Sequence, residues 1–324
     1  MKLRTLLSIG ACSALVLASN TVLAGSAGPT IELSGFVDTS LSTAIIPDAA
    51  RKTGVTLGLD QVELDVKANV LPGLEIIADF NYMPAAGAAT MDALVEQGYA
   101  LWHVDGTEHG LFIRAGKWNA PVGFETIDPT GLYQFSQGLL FSMATPANLT
   151  GFALGWSNDN VEAQLWLTND WDTPGTAEDG SIGGRINVSL GDTGSVGLSS
   201  TYGAINDDPA RLLIDLDAAL TFDAVTVGAE FNYGKQDDLS SIGFLVMANY
   251  AVSDATSFTA RFDYLDREIM DAPYKGMSAT AAGLFTLASS HNGSLAFITE
   301  VRADLPDVGD EILTGSLELL ATFE

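Results

Sequence analysis

The chain of 324 residues has a single cysteine, Cys12. It lies ahead of a small-residue cleavage site at Val22-Leu23-Ala24, so the processed chain would carry none, and disulfides cannot supply its stability. Long apolar runs are also missing. Past the leader, no stretch reaches the roughly eighteen apolar residues of a membrane helix. Basic residues are scarce: 14 Lys and Arg stand against 41 Asp and Glu, a formal net charge of −27. That excludes nucleic acid as a partner, which needs basic patches, and favours cations. A salt-rich habitat, where acidic surfaces aid solubility, would produce the same bias. Histidine occurs only at His103, His109 and His291, and none sits in a spacing that suggests a metal site or a catalytic triad. No cofactor, metal or catalytic residue is expected.

The leader reads as a signal peptide over residues 1–24. Lys2 and Arg4 form its positive end, Leu6 to Ala18 its apolar core, and Gly25 begins the mature chain. A lipidation site at Ile9-Gly10-Ala11-Cys12 is the competing reading; it leaves an apolar core of only about five residues.

What the chain does have is alternation. In Val225-Thr226-Val227-Gly228-Ala229-Glu230-Phe231-Asn232-Tyr233 the odd positions are apolar and the even ones small, polar or charged. Period two means a strand with two different faces. About sixteen such segments follow one another from about residue 30 to Glu324. Behind a secretion signal, they predict an all-β fold: a transmembrane antiparallel β-barrel of the bacterial outer membrane, one domain over residues 25–324. Closure pairs every strand on both sides, which replaces the missing disulfides. It also reconciles a hydrophobic composition with strong acidity, with lipid outside and water inside. A soluble secreted β-protein is the competing class.

Breaks alternate between short and long. Short turns are expected at Leu71-Pro72-Gly73, Asp105-Gly106-Thr107, Ser157 to Asn160, Gly191 to Gly194, Asp223-Ala224, Ser253-Asp254 and Ala288 to Gly293. Longer loops are expected near 45–53, 84–93, 119–149, 169–180, 204–210, 234–239, 266–274 and 305–310. In such barrels short turns face the periplasm and long loops the outside. Between Gly54 and Asn69 the apolar parity switches after Leu59, which a β-bulge near Asp60-Gln61 would repair. Val95 to His103 fits neither parity. Tyr82, Trp156, Tyr202, Phe222, Tyr233, Tyr250, Tyr264 and Phe323 stand near strand ends, as aromatic girdles would.

The stretch Glu96-Gln97-Gly98-Tyr99-Ala100, followed by Arg114-Ala115-Gly116-Lys117-Trp118-Asn119-Ala120-Pro121-Val122-Gly123-Phe124-Glu125, resembles β-barrel porin family 2 of bacterial outer membranes. Tyr133-Gln134-Phe135-Ser136 and Thr150-Gly151 continue the likeness, which covers about residues 96–156. The resemblance implies a porin-like barrel and a passive channel. Its C-terminus departs from the usual pattern, since Glu324 follows the aromatic Phe323 that the barrel-assembly machinery would recognise.

With the apolar parity toward lipid, the opposite parity lines the lumen. By that rule it holds Glu32, Asp38, Glu63, Asp65, Glu75, Asp79, Glu162, Asp215, Asp217, Glu230, Asp263, Glu300 and Asp304, with Lys67, Arg114, Arg185, Arg261 and Arg302. Acids exceed bases, which predicts a mild preference for cations among small hydrophilic solutes. The loop at 119–149 is too long and too apolar for a solvated connection. It is expected to fold inward as a constriction, with Glu125 and Asp128 facing Arg114 and Lys117. The acidic loop residues Asp170, Asp172, Glu178 and Asp179 lack the spacing of a Ca²⁺ loop. Expected partners are outer-membrane lipid and lipopolysaccharide, the assembly machinery, the permeating solutes, and further copies of the chain in a homotrimer. The alternatives are a plugged structural barrel whose outer loops bind a partner, and an enzyme of the outer-membrane phospholipase kind.

Overall fold

A computed structural model describes residues 29–45, 54–83, 94–106, 109–173, 180–203, 210–268 and 273–324. The expected signal peptide, most of the loops near 45–53 and 84–93, and Glu178 and Asp179 lie outside the described residues. Sixteen strands run in chain order: β1 (Thr30–Ile45), β2 (Gly54–Leu71), β3 (Leu74–Tyr82), β4 (Val95–His103), β5 (Gly110–Asn119), β6 (Asn148–Ser157), β7 (Val161–Asn169), β8 (Gly180–Ser189), β9 (Gly194–Gly203), β10 (Arg211–Phe222), β11 (Val225–Gln236), β12 (Leu239–Ser253), β13 (Thr256–Arg267), β14 (Tyr274–Ser290), β15 (Gly293–Pro306) and β16 (Ile312–Phe323). Each pairs antiparallel with its neighbours, and β1 pairs with β16 from Gly35↔Phe323 to Ile45↔Leu313, which closes the barrel. No helix of the described residues is long and apolar enough to cross a membrane.

The faces follow parity. Leu165, Leu167, Ile182, Leu198, Leu216, Phe231, Val246 and Leu317 are exposed on the outside. Arg211, Asp215, Glu230, Arg261, Asp263, Glu300 and Glu318 are buried on the inside. Tyr82, Trp156, Tyr202, Phe222, Tyr250 and Phe323 are exposed at strand ends. The bulge sits at Asp60: Asp38 pairs with Gln61 and Thr39 with Leu59, so one extra residue lets both halves of β2 keep one apolar face. Val95 to His103 fits neither parity for the same reason. Asp79 pairs with Gln97 and Phe80 with Val95, so Glu96 is the extra residue.

One expected loop is absent. Residues 234–239 are mostly strand, and Gln236 pairs directly with Leu239 across a two-residue turn. Asp237 adopts φ 53° there, and Asp223 φ 50° in the turn between Phe222 and Val225. Asp tolerates this left-handed conformation, which two-residue hairpins demand. At Asp237 an aspartate therefore supplies the conformation that glycine usually signals, and the segment is a tight hairpin in place of the expected longer loop.

Candidate functional site: the loop within the barrel

The connection from β5 to β6 leaves Asn119 and returns at Asn148. It holds a short 3₁₀ turn, Pro129–Gly131, and α1 (Leu139–Met143). Its backbone groups are bonded to inward side chains of strands far away in the barrel. The Pro121 carbonyl accepts from Ser199 Oγ at 3.1 Å and Arg185 Nη1 at 3.4 Å. Gly123 N–H donates to Asp215 at 3.0 Å, and Phe124 N–H to Glu230 at 2.8 Å. Ser136 N–H donates to Glu300 at 2.9 Å, and Leu139 N–H to Asp263 at 2.8 Å. Tyr133 and Met143 carbonyls accept from Thr259 and Arg267. The loop thus spans the lumen from β5 to β15. Buried acids of the wall meet N–H groups that would otherwise be unpaired.

Gly123 makes its part of this possible. Its φ of +87° belongs to the left-handed region, and an added Cβ would lie 3.0 Å from the Glu230 carboxylate.

Glu125 is the centre of the loop's anchorage. Its carboxylate accepts from Gly138 N–H at 2.6 Å, Gln134 Nε2 at 2.9 Å and Arg261 Nη1 at 2.8 Å. The Glu125 and Arg261 side chains are 1% and 0% exposed. Burial raises the Glu125 carboxyl above its usual range, and the Arg261 charge opposes that. Arg261 also pairs with Asp263 at 3.2 Å and donates to the Ser136 carbonyl. Arg302 donates to the Gln137 carbonyl at 2.5 Å and Ser136 Oγ at 3.1 Å.

Apolar contacts complete the seat. Leu139 and Ala144 pack on Leu265, and Leu140 packs on Leu245 and Met247 with Phe124 and Tyr133 beside it. Leu245, Met247 and Leu265 point inward, against the polar rule for a lumen. The signal was present: Phe244 to Met247 is apolar on both parities, as a strand covered on both faces must be.

The facing arrangement expected for Glu125 and Asp128 is corrected. Glu125 meets Arg261, not Arg114 or Lys117. Arg114 lies among the rings of Tyr99, Phe112 and Trp118, with its Cζ 5.2–5.9 Å from their centroids. Lys117 borders a cavity with Glu96, Ile127 and Pro129, and its Nζ donates to the Val95 carbonyl at 2.8 Å. The loop crosses the barrel after Pro121, so its acids end beside strands distant from the one that precedes them. Asp128 lies beside Glu63 and Glu96 instead. Arg185 pairs with Asp217 at 2.6 Å, and Glu162 lines the same cavity of about 550 Å³ between the loop and β7–β10. Asp172 accepts from the N–H groups of Ala147 and Asn148 at 2.9 and 2.7 Å, and Asp170 lies 3.9 Å from Arg211.

Charge is unevenly spread. The arginines of β8, β13 and β15 are paired with acids or loop carbonyls. On β16 and β1–β4, Lys67 is the one base among the described inward residues, against Asp38, Glu63, Asp65, Glu75, Asp79, Glu96 and Glu318. Glu318 is missing from the expected lining, although its position between Leu317 and Leu319 already marks it as inward. Glu96 could not be read that way, because the bulge hides its parity.

A family profile described as "Putative beta-barrel porin-2, OmpL-like" matches residues 68–315. The chain belongs to this family. It is an outer-membrane β-barrel protein, a porin by family and fold. The fold is similar to an anion-selective porin from Comamonas acidovorans, at TM-score 0.62 and 14% identity, covering 91% of this chain and 100% of that one. It is also similar to the outer-membrane channel DcaP of Acinetobacter baumannii, at TM-score 0.63 and 11% identity over 92% and 98% of the two chains. OmpT of Vibrio cholerae, folded in vitro, matches at TM-score 0.65 and 12% identity over 93% and 99%. No curated relative matches the chain.

Proposed function

We propose that this porin is a passive diffusion channel for small hydrophilic solutes, that the loop over residues 120–147 forms its constriction, and that it prefers cations. The observation that carries the reading is the loop's attachment across the lumen, through Pro121, Gly123, Phe124, Ser136 and Leu139, to β8, β9, β10, β11, β13 and β15. Away from the point where Asp128 meets Glu63 and Glu96, the wall of β16 and β1–β4 would be the charged side of the passage, and this wall is acidic. Rings of one sign set selectivity. Deleting residues 124–140 should raise single-channel conductance in a planar bilayer, and unchanged conductance would remove the constriction. A reversal potential in a salt gradient should show cations crossing faster; anion preference would sink the selectivity.

A second reading, the plugged barrel, is favoured by the complete burial of Asp215, Leu245 and Asp263 beneath the loop. Open steps in the bilayer recording would decide against it. OmpT of Vibrio cholerae is described in a trimer form, and a homotrimer suits the exposed apolar outer faces. Mass measurement of the detergent-purified barrel checks it. Outer-membrane lipid and lipopolysaccharide would cover the remaining outer face, and Phe323 would serve the assembly machinery. No catalytic role is assigned to any residue.

A further inference from the structure

Three carboxylates from three separate segments meet where the loop touches the β2–β4 wall. Glu63 comes from β2, Glu96 is the bulged residue of β4, and Asp128 precedes the loop's 3₁₀ turn. One oxygen of each lies within 4.8 Å of the others. The ion pairs of the described residues leave all three out.

The Asn81 amide stands beside them. Asn81 is paired with Glu63 in the ladder and is 4% exposed. Its Nδ2 donates to Glu96 Oε2 at 2.6 Å, while Oδ1 of the same amide is buried and accepts no hydrogen bond. A buried carbonyl oxygen with no donor is costly unless something positive meets it. Asn81 and Glu96 both line a cavity of about 440 Å³, shared with Ile127 and Pro129 of the loop; Lys117 borders it with its Nζ held by Val95.

We propose that Glu63, Glu96 and Asp128, together with the Asn81 carbonyl oxygen, bind one Ca²⁺ ion that ties the loop to the β2–β4 wall. Ca²⁺ accepts several carboxylate and amide oxygens, whereas Mg²⁺ usually keeps most of its waters and one or two carboxylates, so three carboxylates with an amide oxygen suit Ca²⁺. Four protein oxygens leave two to four positions for water within the six to eight that Ca²⁺ accepts. A divalent cation would offset the mutual repulsion of the three carboxylates.

The test does not depend on channel activity. The full barrel, purified in detergent and stripped with EDTA, is titrated with CaCl₂ by calorimetry at pH 7.5. One saturable site per chain is expected, with Mg²⁺ competing at least tenfold more weakly. Asp128→Asn and Glu96→Gln should each weaken Ca²⁺ at least tenfold, while Asp254→Asn in a distant turn should not. Heat-modifiable gel migration verifies that each variant is folded, and Asp128, being in the loop, can change without altering a strand. Absence of saturable Ca²⁺ binding by the folded wild-type barrel would overturn the proposal. So would an affinity that survives in either site variant, or Mg²⁺ binding as tight as Ca²⁺.

Discussion

Arg261 shows how much one side chain can hold. It contacts Glu125 and Ser136 of the loop, and Asp263 and Thr280 of the wall, with no exposure to water. Its planar fork meets several acceptors at once, which an ammonium cannot do. Arg261→Ala would strand two buried carboxylates, and breaking a buried pair costs about 3–5 kcal/mol. The temperature at which unboiled and boiled forms merge on a gel should fall, and Arg261→Lys should recover only part of the loss. Gly123→Ala acts more locally. An alanine held at φ +87° costs about 1–2 kcal/mol, and its Cβ presses on Glu230. Protease cleavage within residues 120–147 should quicken while barrel stability stays near wild type; a protection pattern identical to wild type would contradict the anchoring role.

At the scale of the strand, parity decides what a substitution does. Leu216 is 48% exposed in the middle of β10, beside buried Asp215 and Asp217. Leu216→Arg places a charge in lipid and should cost about 2–4 kcal/mol near the midplane, read from urea unfolding in liposomes. Removing Asp60 should do the opposite of harm. Without the extra residue, Leu59, Val62 and Leu64 fall on one unbroken parity with Gln61 and Glu63 on the other, so the deletion should still give a heat-modifiable barrel. The loop is a different kind of element. Its helix of five residues is too short to stand alone and persists because Leu139 and Leu140 are buried against β12 and β13.

For the whole molecule, the relevant quantity is the sum of charge around the passage. Asp38 on β1 and Glu318 on β16 are diagonal neighbours on the inner face, Asp38 opposite Leu320 and Glu318 opposite Ser40, and both are buried. Replacing them as Asp38→Asn with Glu318→Gln should shift the reversal potential toward neutrality while leaving the loop's arginine anchorage intact. A reversal potential unmoved by the double change would place the selectivity elsewhere. Buried like charges also load the fold with repulsion, so the same variant should unfold at a higher temperature.

Alternation from Thr30 to Phe323 was sufficient for sixteen antiparallel strands, for their inner and outer faces and for the bulge at Asp60, because a pleated strand must turn successive side chains to opposite sides. Local turn chemistry placed nearly every break, and failed at residues 234–239, where Asp237 supplied the left-handed turn. The loop's partners could not be read locally. Glu125 lies 136 positions from Arg261 in the chain, and no periodicity links them. Neither does any spacing link Glu63, Asn81, Glu96 and Asp128. Those meetings depend on closure of the barrel, which brings β10–β15 around to face β5, and on a loop long enough to cross the space that closure encloses. The sequence by itself determined, for most strands, which residues turn inward and which outward. Only the tertiary structure decided which of them meet.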